Sequence, residues 1–172
     1  MVLRRAKNRL IARALGLFPS LVDRWARGRS FAPAAGDEPW AALAKPLAGC
    51  RLALVTTGGV HLKSQAPFDM AEKDGDPTFR EIPSGAPRGE LVITHDYYDH
   101  RDADRDINVV FPLDRLAELA AGGRIQGPAP LHLGFMGHVD GSLVGRLARE
   151  TAPAAARRLA ETGADAVLLT PA

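Results

Sequence analysis

Between His95 and Asp106 the chain reads His-Asp-Tyr-Tyr-Asp-His-Arg-Asp-Ala-Asp-Arg-Asp, its most unusual polar run. Histidine beside aspartate can hold a metal or pass protons, and His95 and His100 are the candidates for that work. No HExxH or other standard zinc spacing occurs, and alternating Asp and Arg also suits a solvated loop. The run leaves three uses open for these two histidines: site residues, structural hydrogen-bonding groups, or metal ligands. Thr57-Gly58-Gly59 could cradle an anion on backbone N–H groups, or form a tight turn that needs glycine, which is slightly favoured. It has neither GxGxxG nor Walker spacing, so a nucleotide site is not supported. His61 is either a site group or a loop brace. His138 follows an apolar run and is a site candidate, whereas His132 lies inside that run and is expected to be packed.

The elements expected around these residues place them on one rim. Short apolar runs predict strands at 51–57, 90–94, 130–136 and 166–170, with a brief one at 109–111. Runs without polar alternation suit strands buried on both faces, as in a parallel sheet. Helices are expected over 1–27 (with a break at Phe18-Pro19), 112–121 and 141–162, and a short one within 40–47. Residues 28–39 read as a linker and 60–90 as a long ordered loop, a length that is usually functional or hides an element. The expected fold is α/β: a three-layer, partly open, Rossmann-like parallel sheet, incomplete at its C-terminus, with a basic N-terminal helix. Residues 1–39 would form helix and linker, and 40–172 the α/β domain. In such sheets ligands bind beyond the carboxyl ends of the strands. Thr57, Gly58 and His61 follow the first strand there, and His95, Asp99 and His100 the second. His138 follows the strand at 130–136, and Thr170 ends the last. Cys50, the sole cysteine, precedes the first strand at the opposite edge and is expected to be inert.

Composition sets limits. One cysteine excludes an internal disulfide framework or a CxxC zinc site within these residues, which fits a cytoplasmic location. The net charge of +2 is unevenly spread: residues 1–30 hold eight Lys and Arg against Asp23 alone, so the remainder is acidic. That segment has no aromatic interleaving, and no nucleic-acid partner is expected. No apolar run is long enough to span a bilayer. Residues 3–17 are Arg-rich and free of acid, open to a transit peptide, a surface-lying or docking helix, or a peripheral helix with Leu10, Leu15, Leu17 and Leu21 turned inward.

The runs Val55–Leu62, Pro67-Phe68-Asp69, Gly75–Pro83, Tyr98-Asp99-His100, Asp106–Leu116, Phe135-Met136-Gly137 and Asp165–Pro171 together resemble the selenoprotein B family of glycine/sarcosine/betaine reductases, which is related to D-proline reductase. The resemblance covers roughly residues 40–172. It implies a component that binds a small amine or amino acid for reductive cleavage of its C–N bond. A selenocysteine or cysteine would attack the carbon bearing nitrogen, since a low-pKa selenol or thiol is charged and polarisable at neutral pH. It implies catalytic or carboxylate-binding roles for His61, His95 and His100. Thr57, Gly58, Asp99, Asp106, Asn108 and His138 would bind or orient substrate. No cofactor is expected in this chain. Selenocysteine or cysteine is expected in a full-length form, and the short form is expected to be inactive; a reading frame ended at a UGA codon read as selenocysteine is the preferred explanation, and a genuine short form completed by a partner or retained without redox activity is the alternative. An electron donor, a reductase-complex protein or a second copy are the expected partners. Two rival readings stand beside it: a non-catalytic module docking through the basic helix, and a metal-dependent hydrolase using the His/Asp loop.

Overall fold

The computed structural model describes residues 2–17, 20 and 41–172. Its central strand is β1 (Arg51–Thr56), where Ala53 and Leu54, pointing to opposite faces, are both fully buried. β1 pairs in parallel with β5 (Gly127–Pro128) and β6 (Leu131–Phe135), and also with β7 (Ala166–Thr170). β3 (Phe79–Pro83) completes the five-stranded sheet by pairing antiparallel to β6. The sheet is thus only partly parallel, a correction to the parallel sheet expected from the apolar runs. β2 (Val60–Leu62) and β4 (Leu91–Ile93) form a separate antiparallel ladder. β2 crosses β6 so closely that a Cβ on Gly134 would strike the Val60 carbonyl.

The presumed loop 60–90 therefore contains β2, β3 and a 3₁₀ turn at Arg88–Glu90. β2 is three residues long and β3 reads Phe-Arg-Glu-Ile-Pro, patterns too short or too polar to stand out without their partners. The brief strand expected at 109–111 is instead the end of a 3₁₀ turn, Ile107–Val109, followed by buried Val110 and Phe111. The polar run carries a one-turn helix, α2 (Arg101–Arg105), before α3 (Leu113–Ala121). α4 (Ser142–Arg146) continues through a π-helical turn (Leu147–Thr151) into α5 (Ala152–Glu161). Among residues 41–47 no helix precedes the 3₁₀ turn Leu47–Gly49, and the expected linker lies outside the described residues.

Neighbouring side chains of β1 enter different cores. Leu54 packs in a cluster with Ile82, Phe111, Leu113 and Leu116, so α3 covers that face. Ala53 joins Leu133, Ala155 and Leu159, so α5 covers the other. At about 25 cal/mol per Å² of apolar surface, this two-sided burial is what holds the strand ends in place. β7 is less covered: Val167, Leu168 and Leu169 are 44, 42 and 69% exposed.

The β5–β6 segment is interrupted opposite β1. Leu52 pairs with Pro128 and Val55 with Leu133, so two residues of β1 face four of their partner. In that gap the Leu54 N–H donates to His132 Nδ1 at 2.9 Å. A buried amide without a partner costs on the order of 1–3 kcal/mol, and the histidine prevents that loss.

α1 (Val2–Leu17) turns Leu3, Leu10 and Leu17 outward. Leu3, Leu10 and Leu17 are 87, 70 and 73% exposed, and Ala12 is buried. The expected inward placement of Leu10 and Leu17 is thereby corrected; the docking contacts are polar. Leu21 lies outside the described residues. No helix among the described residues is long and apolar enough to cross a membrane.

Candidate functional site

The rim at the carboxyl ends of β1, β6 and β7 is stitched by backbone bonds. Thr57 N–H donates to the Thr170 carbonyl at 3.1 Å, and Gly59 N–H to Phe135 O at 2.8 Å. Ala172 N–H reaches Thr57 Oγ1 at 3.1 Å, and Thr170 Oγ1 donates to Val110 O at 2.8 Å. Gly59 takes φ +74°, and a Cβ there would press on the Thr94 carbonyl, so only glycine lets β1 turn into β2 beside the end of β4. The Thr94 N–H then donates to Gly59 O, which sets the following residue, His95, over the rim.

Two adjacent tyrosines, the chain's only two, join the histidines. Tyr98 donates its hydroxyl to Gly58 O at 3.0 Å. Its ring lies 4.7 Å from His95 and 5.5 Å from His100. Tyr97 stacks on His138 at 4.1 Å and meets the His95 ring edge-on at 5.8 Å. His95, His100, His138, Thr57 and Gly58 thus share one rim with the end of β7. Neither tyrosine was among the expected site residues, although an adjacent Tyr-Tyr pair flanked by His-Asp on both sides was the visible signal.

His95 is the most chemically distinctive group. Its side chain is buried, and Nδ1 accepts from the Tyr97 N–H at 3.1 Å. Nε2 therefore carries the proton, and it has no hydrogen-bond partner among the described residues. Burial pushes its pKa down to about 4, helped by His100 and His138. At neutral pH it is an uncharged donor with an unspent N–H. Burial, with Asp104 nearby, also raises the Tyr98 hydroxyl, so it stays a donor.

His100 bonds through Nδ1 to Asp104 Oδ2 at 2.8 Å. A carboxylate at Nδ1 holds the ring in the tautomer that presents Nε2 as an acceptor. His138 bonds through Nε2 to the Lys73 carbonyl at 2.9 Å. His61 commits both nitrogens: Nδ1 to Leu62 O and Nε2 to Thr94 Oγ1, each at 2.8 Å. It braces β2 against the end of β4 and reaches His95 only through Thr94.

The acidic candidates are engaged locally. Asp99 forms a bidentate pair with Arg101, which draws its pKa down to about 2. Asp106 accepts from the Asn108 backbone and side chain, and Asn108 bonds Asp114 in both directions, tying the polar run to the first turn of α3. That network, with Arg88 on Asp114, lines a separate cavity of about 460 Å³. Asp106 and Asn108 are therefore not gathered with the histidines.

Asp96, also unexpected, is buried beside His95. It accepts from Arg5 Nε at 2.5 Å and from Arg9 Nε at 2.9 Å. Burial alone would raise its carboxyl, but the hydrogen bonds from the two arginines outweigh it and hold the pKa below the ordinary value. Cys50 is fully buried, with Sγ directed at the Lys45 and Pro46 carbonyls. Among the described residues no group of three or more His, Cys, Asp or Glu is arranged to hold a metal ion.

A family model for glycine/sarcosine/betaine reductase selenoprotein B matches residues 33–172. The chain is also similar to the D-proline reductase subunit gamma of Acetoanaerobium sticklandii, with 40% identity over 140 residues. That alignment covers 81% of this chain and 56% of the relative, so the chain spans little more than half of that protein's length. No solved structure matches. With four-fifths of its residues inside the family match, and its rim built from the residues of that match, the chain belongs to the glycine/sarcosine/betaine reductase selenoprotein B family.

Proposed function

We propose that the rim around His95, Tyr98 and His100 is the substrate-binding face of a reductase that cleaves the C–N bond of glycine, sarcosine, betaine or a similar small amine or amino acid. The observation that carries this reading is the unspent, buried Nε2–H of His95 beside the joined ends of β1 and β7. A selenol or thiol carried outside these 172 residues would supply the nucleophile that displaces the amine, since Cys50 is buried and precedes β1 at the far edge. His95, neutral, donates to the substrate carboxylate. His100, oriented by Asp104 with Nε2 as an acceptor, would take the proton of the attacking selenol or thiol there and pass it to the departing amine, which leaves with the C–N bonding pair. Thr57 and Gly58 floor the site, and His138 with Tyr97 walls it. His61 acts at one remove, through Thr94. The finer expectation of a three-layer, Rossmann-like sheet belongs to the same proposal: α3 and α5 cover opposite faces, and the exposed β7 edge would receive further structure from an electron donor, a complex partner or a second copy.

The test is histidine ring NMR of the full chain titrated separately with glycine, sarcosine, betaine and D-proline. Shifts at His95 and His100, with buried His132 unmoved, support the reading. Four titrations that leave both rim histidines unmoved sink it.

A second reading, a non-catalytic docking module, is favoured by the leucines exposed along α1. Replacing Leu3, Leu10 and Leu17 by Ser and measuring oligomer size separates the two: loss of an assembly with the fold intact favours docking.

A further inference from the structure

We infer that α1, which lies outside the family match, forms part of the candidate site: its Arg5 and Arg9 clamp Asp96, and Asp96 is a positioning residue for His95. This deepens the proposed function, since it concerns the same rim.

The geometry is specific. Arg5 and Arg9 are one helical turn apart and so share a face. Each sends its Nε to a different oxygen of one carboxylate, and Arg5 Nη2 reaches Oδ1 as well, at 3.4 Å. That carboxylate is 2% exposed, whereas the arginines are 37 and 54% exposed. A carboxylate that deeply placed needs its charge answered, and no other cation forms an ion pair with it among the described residues. Asp96 is covalently next to His95, and the loop's far side is pinned by Tyr98 on Gly58. On the other side Thr94 N–H donates to Gly59 O, so the clamp fixes one end of the three-residue span Thr94–Asp96 whose other end is fixed beside β2, and His95 is the ring held between.

Cavities open on both flanks of the clamp. One of about 520 Å³ runs from Arg5 past Phe68 to Thr94, and one of about 250 Å³ from Arg9 and Arg13 to Tyr98 and His100. α1 is thus a wall of both approaches to the rim. The polar docking face also explains why Leu3, Leu10 and Leu17 point outward.

The test compares the full chain with Arg5→Ala/Arg9→Ala and Arg5→Lys/Arg9→Lys by following ring titrations of His95 and His132. The charged and titratable groups around His95 are Asp96, His100, His138, Tyr97 and Tyr98, with Arg5 and Arg9 behind Asp96. Removing the arginines leaves an unanswered negative charge next to His95 and frees the loop to hydrate, and both changes raise its midpoint. The alanine pair is expected to raise it by about one unit or more with His132 unmoved, and the lysine pair to restore most of the shift. A His95 midpoint unchanged by the alanine pair overturns the inference. So does a joint shift of His95 and His132, which makes α1 a support of the whole fold. An alanine-pair shift that lysine fails to reduce overturns it too. The titration needs no substrate, so it fails independently of the proposed reaction.

Discussion

The hydroxyl of Tyr98 donates to the carbonyl of Gly58 across 3.0 Å, joining the polar run to the end of the central strand. The two residues are 40 positions apart, and this bond brings His95 and His100 to the same rim as Thr57. Burial keeps the hydroxyl protonated throughout the neutral range, so the contact does not titrate there.

Tyr98→Phe keeps the ring and removes only that donor. The expected cost is about 1–2 kcal/mol, most of it from leaving a buried carbonyl less satisfied. Urea unfolding should show a lower midpoint with unchanged slope. Amide exchange at residues 95–100 should quicken more than exchange in β1. Equal stability in the two proteins would remove Tyr98 from its bridging role.

Acid should weaken the fold before its carboxylates titrate. His95 and His132 are both held near 4 by burial, below the usual value of about 6.5. In the folded state they stay neutral, while the unfolded chain binds a proton at each as pH falls below about 6.5. Their contribution is therefore intact above that value and is lost progressively down to about 4, by up to about 3 kcal/mol for each histidine. Urea midpoints measured from pH 7.5 to pH 4.5 check this. A flat profile over that interval contradicts it.

His132→Leu tests the repair of the strand interruption. The substitution leaves the buried Leu54 N–H without an acceptor, and the expected loss is about 1–3 kcal/mol at neutral pH. It also deletes one of the two titrating groups, so the pH dependence should flatten by about half. The two effects are opposite in sign at low pH, where the gap between wild type and variant should narrow. A leucine variant as stable as wild type at pH 7.5 would mean that Leu54 finds another acceptor.

Much of this arrangement was legible because it rests on short-range pattern. The apolar runs around Leu54, Leu133 and Leu168 announce strands by composition, and the polar residues after them fall on one rim because parallel strands end together. His132 was readable as packed because its neighbours are apolar. β3 was not readable, because Phe79–Pro83 is polar in pattern and is made a strand by β6, about 50 residues away. Asp96 gave no local sign of its role, since its partners are 91 and 87 positions distant. Asp106 and Asn108 sit in a chemically suggestive run, and only the structure shows that their hydrogen bonds close a turn and fix the start of α3.

Asp99 separates a structural role from a binding one. Its carboxylate is spent on Arg101 in an exposed pair, and exposed pairs add little to stability because solvent screens them. Asp99→Asn should therefore change the urea midpoint by less than the Tyr98→Phe substitution does. It also releases Arg101, which lines the 250 Å³ cavity with Arg9, Arg13 and His100. With that guanidinium freed and one negative charge removed, the cavity becomes more favourable to an anion. A small amino acid that enters carboxylate-first should bind the variant more tightly, and the gain should shrink as salt is added, because exposed charges are screened. If Asp99 instead holds the substrate's ammonium group, the same variant binds more weakly at unchanged stability. Titrating glycine into wild type and Asp99→Asn at two salt concentrations, with His100 as the NMR reporter, distinguishes the two orientations by the sign of the change.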